Sequence, residues 1–268
     1  MTDSPSREER WERAYAALRE REGRSDPEVR LGRPYLMQGP LAAQWRIRAR
    51  TYDRFVAAVL APFERKAGRP LSILDLGAGD GWLAARMAGR GHRAVALDVR
   101  LDAVDGLAAG ALLARQREGH FGRVAASFEA LPTSRATFDL AVFNASIHYA
   151  ADLPLVLSEA RRAVRGGGRI VLLDSPFYRS AEAGEAMVRQ KERQTRETLP
   201  DLAEDLLARP SIEYLTRERL GAAAAPSNLA FRRIRVLYPF SYELRGVHAL
   251  LRRDRPPSRF DVWVARVG

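Results

Sequence analysis

Residues 73–83, with the sequence ILDLGAGDGWL, constrain the fold of this chain more than any other feature. Residues 73–76 are mostly apolar and predict a buried strand. Glycines follow at positions 77, 79 and 81, and an apolar pattern with helical spacing begins directly after them. A glycine turn between a parallel strand and a helix lets a ligand approach the backbone and the first N–H groups of the helix. The stretch therefore predicts an α/β domain with a ligand site at this turn.

Two acidic residues flank the turn in the predicted fold. Asp75 lies two residues before the first glycine, where its carboxylate can hold a cationic or amine-bearing ligand. Asp98 ends the next apolar run, and a carboxylate there can accept hydrogen bonds from both hydroxyls of a ribose. Residues 79–84 also fit the GxGxxA motif of a dehydrogenase, but the carboxylate of Asp75 would repel a pyrophosphate. Asp75 therefore favours a positively charged ligand without phosphate.

Strand and helix patterns alternate along the middle of the chain, at a spacing typical of a parallel sheet with crossover helices. The predicted strands cover residues 71–76, 93–98, 122–127, 138–144 and 169–174. The predicted helices between them cover residues 81–89, 101–117 and 153–165, and Gly166, Gly167 and Gly168 predict a sharp end to the last one. Two more apolar strands, 231–238 and 260–267, flank a short helix at 243–251.

The segments outside this alternation are predicted to be helical. Helices are expected at residues 4–22 and 41–63, before the glycine turn. Residues 176–228 interrupt the alternation with a helix at about 181–197, a second helix bounded by Pro200, and a loop through Pro210 and Pro226.

Together, Asp75, the GxGxG turn and Asp98 resemble the class I S-adenosylmethionine (SAM)-dependent methyltransferases, whose first motif is an acidic residue followed by GxGxG. The resemblance implies a Rossmann-like, doubly wound seven-stranded sheet with its last strand antiparallel. It also implies N-terminal helices and a helical insertion before the last two strands. The corresponding division of the chain is a helical lid at 1–68, a SAM-binding core at 69–175, a substrate-covering insertion at 176–228 and C-terminal strands at 229–268.

Residues 124–132, VAASFEALP, resemble the third-strand motif of that family, whose turn reads the adenine. Ser127 replaces the usual acid and Phe128 the usual small residue, while Glu129 matches. Ser127 can still accept a hydrogen bond from the adenine amine, and Phe128 can cover the ring. The alternative interpretation is an ordinary turn at the end of a strand.

Residues 138–150, FDLAVFNASIHYA, resemble the fourth-strand motif of the ubiquinone and menaquinone biosynthesis-type methyltransferases. The resemblance places Asn144 and Ala145 beside the methionine part of SAM. His148 stands where these enzymes often have a histidine, and a general base there could deprotonate a phenol or an enol. The alternative is that His148 hydrogen-bonds the loop and shapes the pocket.

The resemblance thus supplies a set of predicted site residues. Those expected to bind SAM are Asp75, Gly77, Ala78, Gly79, Asp98, Val99, Ser127, Phe128, Glu129, Asn144 and Ala145. His148 is the candidate catalytic residue. An arginine of the N-terminal helices, Arg46 or Arg50, could reach the SAM carboxylate.

Composition narrows the function classes. The chain has no cysteine, and its four histidines lack ligand spacing, so no metal site is predicted. It has neither a run of about 18 apolar residues nor the apolar core of a signal peptide, so a cytoplasmic enzyme without a membrane span is expected. The net charge of +11 comes almost entirely from arginines spread along the chain, so a nucleic acid is not the expected partner.

The methyl acceptor is predicted to be a small molecule that offers an O, N or C nucleophile. The segments 1–68 and 176–228 are expected to form its pocket, with Tyr35, Leu36, Met37, Trp45, Phe177, Tyr178, Met187 and Tyr214. Three other functions stay open at this point: a SAM-binding protein without activity, an NAD(P)-dependent oxidoreductase and an RNA methyltransferase.

Overall fold

A single seven-stranded sheet organises the computed structural model, which describes residues 5–116, 120–252 and 254–268. Its strands are β1 (Ser72–Leu76), β2 (Arg93–Asp98), β3 (Gly122–Ala125), β4 (Phe138–Asn144), β5 (Val164–Leu173), β6 (Arg232–Ile234) and β7 (Val262–Arg266). They lie in the order β3-β2-β1-β4-β5-β7-β6. The first five are parallel, and β7 runs antiparallel to both β5 and β6. The predicted seven-stranded sheet with an antiparallel last strand is therefore confirmed.

Helices cover both faces of this sheet and its carboxyl edge. They are α1 (Arg7–Arg21), α2 (Pro27–Gly32), α3 (Ala42–Phe55), α4 (Ala61–Ala67), α5 (Trp82–Ala88), α6 (Ala111–Gln116), α7 (Leu153–Ala163), α8 (Ala181–Thr198), α9 (Ala203–Leu207), α10 (Arg217–Ala224), α11 (Phe240–Glu243) and α12 (Arg245–Leu251). A π-helical turn, Val56–Leu60, joins α3 to α4. None of the helices in the described ranges has the length and apolarity that a membrane crossing requires.

The alternation of side chains along the strands divides the core into two layers. Leu140 and Val142 of β4 belong to the layer under α3 and α5, whereas Ala141 and Phe143 belong to the layer under α7 and α10. All four side chains have no exposed surface. A strand buried on both faces has a continuous apolar sequence, as in a parallel sheet with helices on each side.

Several predicted boundaries differ from the structure. The helix predicted at 101–117 begins only at Ala111, because the Asp102 carboxylate accepts hydrogen bonds from the backbone N–H groups of residues 104–106 and holds them in a turn. The helix α10 was not predicted, although Thr216 caps it by accepting from the N–H of Arg219 at 3.1 Å. The strand predicted at 231–238 is the short edge strand β6. Residues 4 and 117, predicted ends of two helices, lie outside the described residues.

The three consecutive glycines lie inside a strand instead of ending a helix. β5 begins at Val164, and its register against β4 passes from Phe138–Val164 to Leu140–Arg169. The additional residues of β5 therefore form an irregularity against β4. Gly168 fits there because a Cβ atom would lie 2.6 Å from the carbonyl oxygen of Asp139 and 2.5 Å from a methyl group of Val164.

We expect Gly168→Ala to lower the free energy of unfolding by at least about 2 kcal/mol, because the backbone oxygen in its way cannot move without displacing β4. Gly166→Ala is the matched control, since the nearest atom to its Cβ would be 3.7 Å away. Its effect should stay within about 0.5 kcal/mol. Urea unfolding of the two variants measures the difference, and equal effects would contradict the steric argument.

Candidate functional site

The glycine turn after β1 adopts a conformation that residues with side chains rarely take. Gly77, Gly79 and Gly81 have φ angles of +68°, +57° and +76°. A Cβ atom on Gly77 would lie 2.5 Å from the Cβ of Ser146, so the turn packs closely against the segment after β4. The N–H of Gly77 also donates to the carbonyl of Leu97 at 2.8 Å, which joins the turn to the end of β2.

Asp98 connects the glycine turn to the ligand space above the sheet. Its Oδ2 accepts from the N–H of Gly79 at 2.7 Å, and its Oδ1 accepts from the N–H of Arg100 at 2.9 Å. Burial raises the pKa of Asp98, although these two hydrogen bonds and the charge of Arg100 favour the ionised form. A carboxylate oxygen has more than one acceptor site, so both oxygens can still accept hydrogen bonds from ligand hydroxyls.

A cavity of about 620 Å³ lies at the carboxyl ends of the parallel strands, a size typical of small-molecule sites. Ten of the twelve predicted site residues line it: Gly77, Ala78, Gly79, Asp98, Val99, Ser127, Phe128, Asn144, Ala145 and His148. They come from the ends of β1, β2 and β4 and from the turn after β3. The sheet therefore brings together residues that are far apart in the sequence.

Asp75 and Glu129 occupy other positions. Asp75 is 1% exposed, and its Oδ2 accepts from the N–H of Ala84 inside α5 at 3.2 Å, so it supports the start of that helix from below the turn. Its Oδ1 is buried without a hydrogen-bond partner in the described part of the chain. Glu129 accepts from the N–H of Ala151 at 2.7 Å and so ties the third-strand turn to the segment before α7. Neither side chain lines the cavity.

Ser127 and Phe128 form the wall of the cavity beyond β3. The Ser127 hydroxyl accepts from the N–H of Glu129 at 3.1 Å, which fixes the turn. The Phe128 ring meets Phe143 edge to face, with 5.9 Å between the ring centres. This contact gives the aromatic wall a defined orientation.

The arginine that reaches the cavity from α3 is Arg48, which lies between the two that the sequence indicated. Arg46 and Arg50 are exposed and do not line the cavity. Arg48 pairs with Asp174 at 3.1 Å and donates to Asn144 at 3.4 Å. The expectation for Arg46 and Arg50 is therefore corrected, because the helix turns their side chains away from the site.

The helix α1 covers the cavity from above. Trp11, Tyr15 and Arg19 line it, and the hydroxyl of Tyr15 lies 3.1 Å from that of Tyr149. The guanidinium of Arg100 stacks on the Tyr15 ring at 4.4 Å. The N-terminal helix is thus fixed to the segments that follow β2 and β4.

The predicted acceptor residues are largely elsewhere. Of the eight, Trp45 alone lines the cavity. Tyr178 and Tyr214 pack edge to face at 6.1 Å in a separate cluster that includes Met187, and Phe177 stacks on Trp263. Tyr35 and Met37 are 45% and 74% exposed, while Leu36 is buried in the core under α3 and α5.

The remaining wall comes from Pro176, the first residue of the predicted insertion, and from the C-terminal part of the chain, which was predicted only to complete the sheet. Pro176, Tyr242, Arg245 and Phe260 line the cavity beside the ends of β5 and β7. The concentration of aromatic residues and an arginine at 240–245, in the connection between the last two strands, could have indicated this wall.

His148 lies on a short 3₁₀ turn, Ile147–Tyr149, directly after β4. Burial lowers its pKa to about 3, with further contributions from the positive charges of Lys191, Arg19 and Arg48. Its Nδ1 has no hydrogen-bond partner within the described ranges. The imidazole is therefore neutral at neutral pH. No group of three His, Cys, Asp or Glu side chains among the described residues could hold a metal ion.

The sequence is similar to those of known methyltransferases. A family model described as a methyltransferase domain matches residues 74–172. A malonyl-[acyl-carrier protein] O-methyltransferase of Erwinia pyrifoliae is 29% identical over 136 residues, covering 49% of this chain and 49% of that protein. Its counterpart in Pseudescherichia vulneris is 35% identical over 102 residues, covering 38% of each. The chain thus spans half or less of the length of these curated relatives.

Two solved structures share the fold over most of their length. The 1,6-didemethyltoxoflavin-N1-methyltransferase of Burkholderia thailandensis, with bound S-adenosylhomocysteine, has a TM-score of 0.52 at 20% identity and covers 95% of this chain and 89% of its own. The geranyl diphosphate C-methyltransferase of Streptomyces coelicolor has a TM-score of 0.54 at 16% identity, with coverages of 88% and 87%. At these identities the likeness establishes the methyltransferase fold.

The buried carboxyl of Asp75 leads to a prediction about stability. Burial raises its pKa to about 8, so the folded protein retains a proton that the unfolded chain loses near pH 4. Stability should therefore fall as the pH rises from about 4 to 8. The Asp75→Asn variant lacks this pH-dependent contribution. The difference in unfolding free energy, variant minus parent, should therefore rise by a few kcal/mol between pH 5 and pH 8. Parallel stability curves for the two proteins would contradict this, and Asp254→Asn in an exposed loop is the control.

The imidazole of His148 should remain neutral between pH 5 and pH 8. In ¹⁵N-labelled protein its nitrogen shifts should therefore stay constant over this range, whereas N-acetylhistidine added to the same sample should titrate near pH 6.5. The His148→Gln variant assigns the signal. A titration of His148 inside this window would show that the imidazole is better hydrated than the structure indicates.

Proposed function

We propose that this chain, whose residues 74–172 match a family model described as a methyltransferase domain, transfers a methyl group from SAM to a small-molecule acceptor. The observation that carries the proposal is the hydrogen bond from Gly79 to Asp98, which joins the glycine turn to a carboxylate in one cavity. A Cβ on Gly77 would meet Ser146 and Phe128, so this glycine lets the turn pack against two other residues that line the cavity.

The cavity lining suggests how SAM would lie. Asp98 would accept from the ribose hydroxyls, with Val99 beside it, and Ser127 and Phe128 would border the adenine. The methionine part would then lie over Gly77, Ala78 and Gly79, after the end of β1. Asn144 and Ala145, at the end of β4, would lie beside it. Asp75 and Glu129 would act from behind this surface by holding its turns.

Arg33 is our candidate for the residue that holds the SAM carboxylate. It is 2% exposed, lines the cavity, and its Nη1 pairs with Asp80 and with Asp105. Its Nε and Nη2 have no hydrogen-bond partner in the described part of the chain. Donors left in this state on a cavity wall favour an anionic ligand group.

The chain's own residues would contribute positioning and the exclusion of water. SAM supplies both the methyl group and its leaving group, so a nucleophile forms the new bond to the methyl carbon while the carbon–sulfur bond breaks. Tyr15 and Tyr149 close the cavity from above, and Arg48 is fixed by Asp174 and Asn144 at its floor. A rigid, covered site of this kind accelerates transfer by holding the reactants in line.

The structure bears on the alternative functions. A dinucleotide-binding oxidoreductase typically has six parallel strands in the order 3-2-1-4-5-6, whereas here the antiparallel β7 lies between β5 and β6. The cover formed by α1 favours a small acceptor over RNA. Release of S-adenosylhomocysteine with an acceptor panel would support an enzyme. SAM binding without turnover of any acceptor would favour a binding protein, and salt-sensitive turnover with bulk RNA alone would favour an RNA methyltransferase.

Titration calorimetry with SAM and with S-adenosylhomocysteine tests the cofactor assignment. The parent should bind both, and Asp98→Ala should weaken binding about 10- to 100-fold, because it removes two ribose contacts and the anchor of Gly79. Asp254→Ala, which changes an exposed acid outside the cavity, is the control. Undiminished affinity in Asp98→Ala would refute the ribose assignment, and tight NAD binding without SAM binding would refute the proposed function.

A further inference from the structure

The charges around the cavity are unbalanced in favour of cations. Seven arginines and four aspartates among the described residues line it: Arg19, Arg24, Arg33, Arg48, Arg100, Arg209 and Arg245, with Asp80, Asp98, Asp105 and Asp174. Bound SAM would add a further net positive charge, because its sulfonium and ammonium outweigh its carboxylate. A site of this charge favours an acceptor that brings a negative charge.

Ion pairs account for five of these seven arginines. Arg19, Arg24, Arg33, Arg48 and Arg100 each lie within 4.0 Å of a carboxylate oxygen. Arg209 and Arg245 have no such partner within the described ranges. These two guanidinium groups are therefore the candidates for binding an anion.

Their positions differ with respect to the proposed SAM site. Arg209 stacks on Trp11 at 4.5 Å, and Trp11 stacks on Tyr15. Tyr15 in turn contacts Arg100, close to Asp98, the carboxylate proposed to bind the ribose. Arg245 instead lies with Tyr242 and Phe260, next to the ends of β5 and β7, where no part of SAM is assigned. Arg245 thus belongs to the part of the cavity that is left for the acceptor.

The guanidinium of Arg245 is held in place without being neutralised. Its Nε donates to the carbonyl of Tyr242 and its Nη2 to the carbonyl of Ser258, both at 3.3 Å, and the group stacks on the Tyr242 ring at 3.4 Å from its centre. The neighbouring carboxylate of Glu243 is already engaged by Arg259 at 2.8 and 3.1 Å. A cation fixed in this way binds an anion with little loss of side-chain entropy.

A second donor lies beside it. The hydroxyl of Tyr242 is buried and has no hydrogen-bond partner in the described part of the chain, although a buried tyrosine hydroxyl usually finds one. We propose that Arg245, assisted by Tyr242, binds a carboxylate or phosphate group of the methyl acceptor. This inference rests on the proposed function and names the acceptor class as a small organic anion.

The arrangement separates recognition from transfer. Arg245 would hold the anionic group on the β7 side, so the nucleophilic atom of the acceptor would face Asn144 and His148 at the end of β4. Arg245 is then a specificity-determining residue, and its loss should weaken acceptor binding while SAM binding remains unchanged.

The test uses the full chain saturated with S-adenosylhomocysteine. Benzoate and phenyl phosphate are the anionic probes, and benzamide and phenol are their neutral counterparts. Calorimetry should show that the parent binds at least one anion about 10-fold or more tightly than its neutral counterpart, and the tighter anion distinguishes carboxylate from phosphate. Arg245→Gln should lose about 10- to 100-fold of the anion affinity. The control Arg252→Gln, an exposed arginine outside the cavity, should bind like the parent.

Three results would overturn the inference. The first is equal affinity of the parent for the anionic and neutral probes, which includes binding of neither. The second is undiminished anion binding by Arg245→Gln. The third is loss of the preference for the anionic probe in Arg209→Gln but not in Arg245→Gln. S-adenosylhomocysteine is titrated first, with every variant. Failure of the parent at that step would overturn the proposed function, so the two failures are distinguishable.

Discussion

The site depends on the hydrogen bond between the N–H of Gly79 and the carboxylate of Asp98. This contact joins the ends of β1 and β2, and the left-handed conformation of the turn brings Gly77 against Ser146 at the end of β4. Three neighbouring strands thereby share one rigid edge. The carboxylate of Asp98, which anchors the glycine turn, is also the group proposed to bind the ribose. Loss of its charge would therefore disturb both the turn and the proposed ribose contact.

Buried ion pairs attach the N-terminal helices to this edge. Arg33, just after α2, pairs with Asp80 in the glycine turn and with Asp105 after β2, and Arg48 of α3 pairs with Asp174 after β5. Removing one partner of such a pair leaves a charge buried and unpaired, which is costly. The N-terminal segment is therefore part of the site. A ligand that contacts Arg33 or Arg48 would also stabilise the attachment of these helices to the core.

The sequence predicted best those features that depend on residues close together in the chain. The strands β1, β2 and β4 and the glycine turn come from contiguous apolar runs and a fixed glycine spacing, and their predicted bounds are close to the observed ones. Asp98 ends one of these runs and lies on the cavity wall, and Phe128, which the resemblance of residues 124–132 indicated, lies there as well. By contrast, the turn held by Asp102 and the irregularity at Gly168 depend on side-chain and inter-strand contacts that periodicity does not detect.

The proposed acceptor side of the cavity was its least predictable part, because no local motif specifies it. Tyr242, Arg245 and Phe260 reach the cavity only because β7 inserts between β5 and β6 and thereby carries the preceding segment to the carboxyl ends of the parallel strands. Within 176–228, Tyr178 and Tyr214 pack against each other instead, and Phe177 stacks on Trp263. The residues that line the proposed cofactor half of the cavity belong to short local motifs, whereas those of the proposed acceptor half reach the cavity through the strand order. If Arg245 binds the acceptor as proposed, changes in the connection between the last two strands would alter acceptor choice while the glycine turn and Asp98 remain as they are.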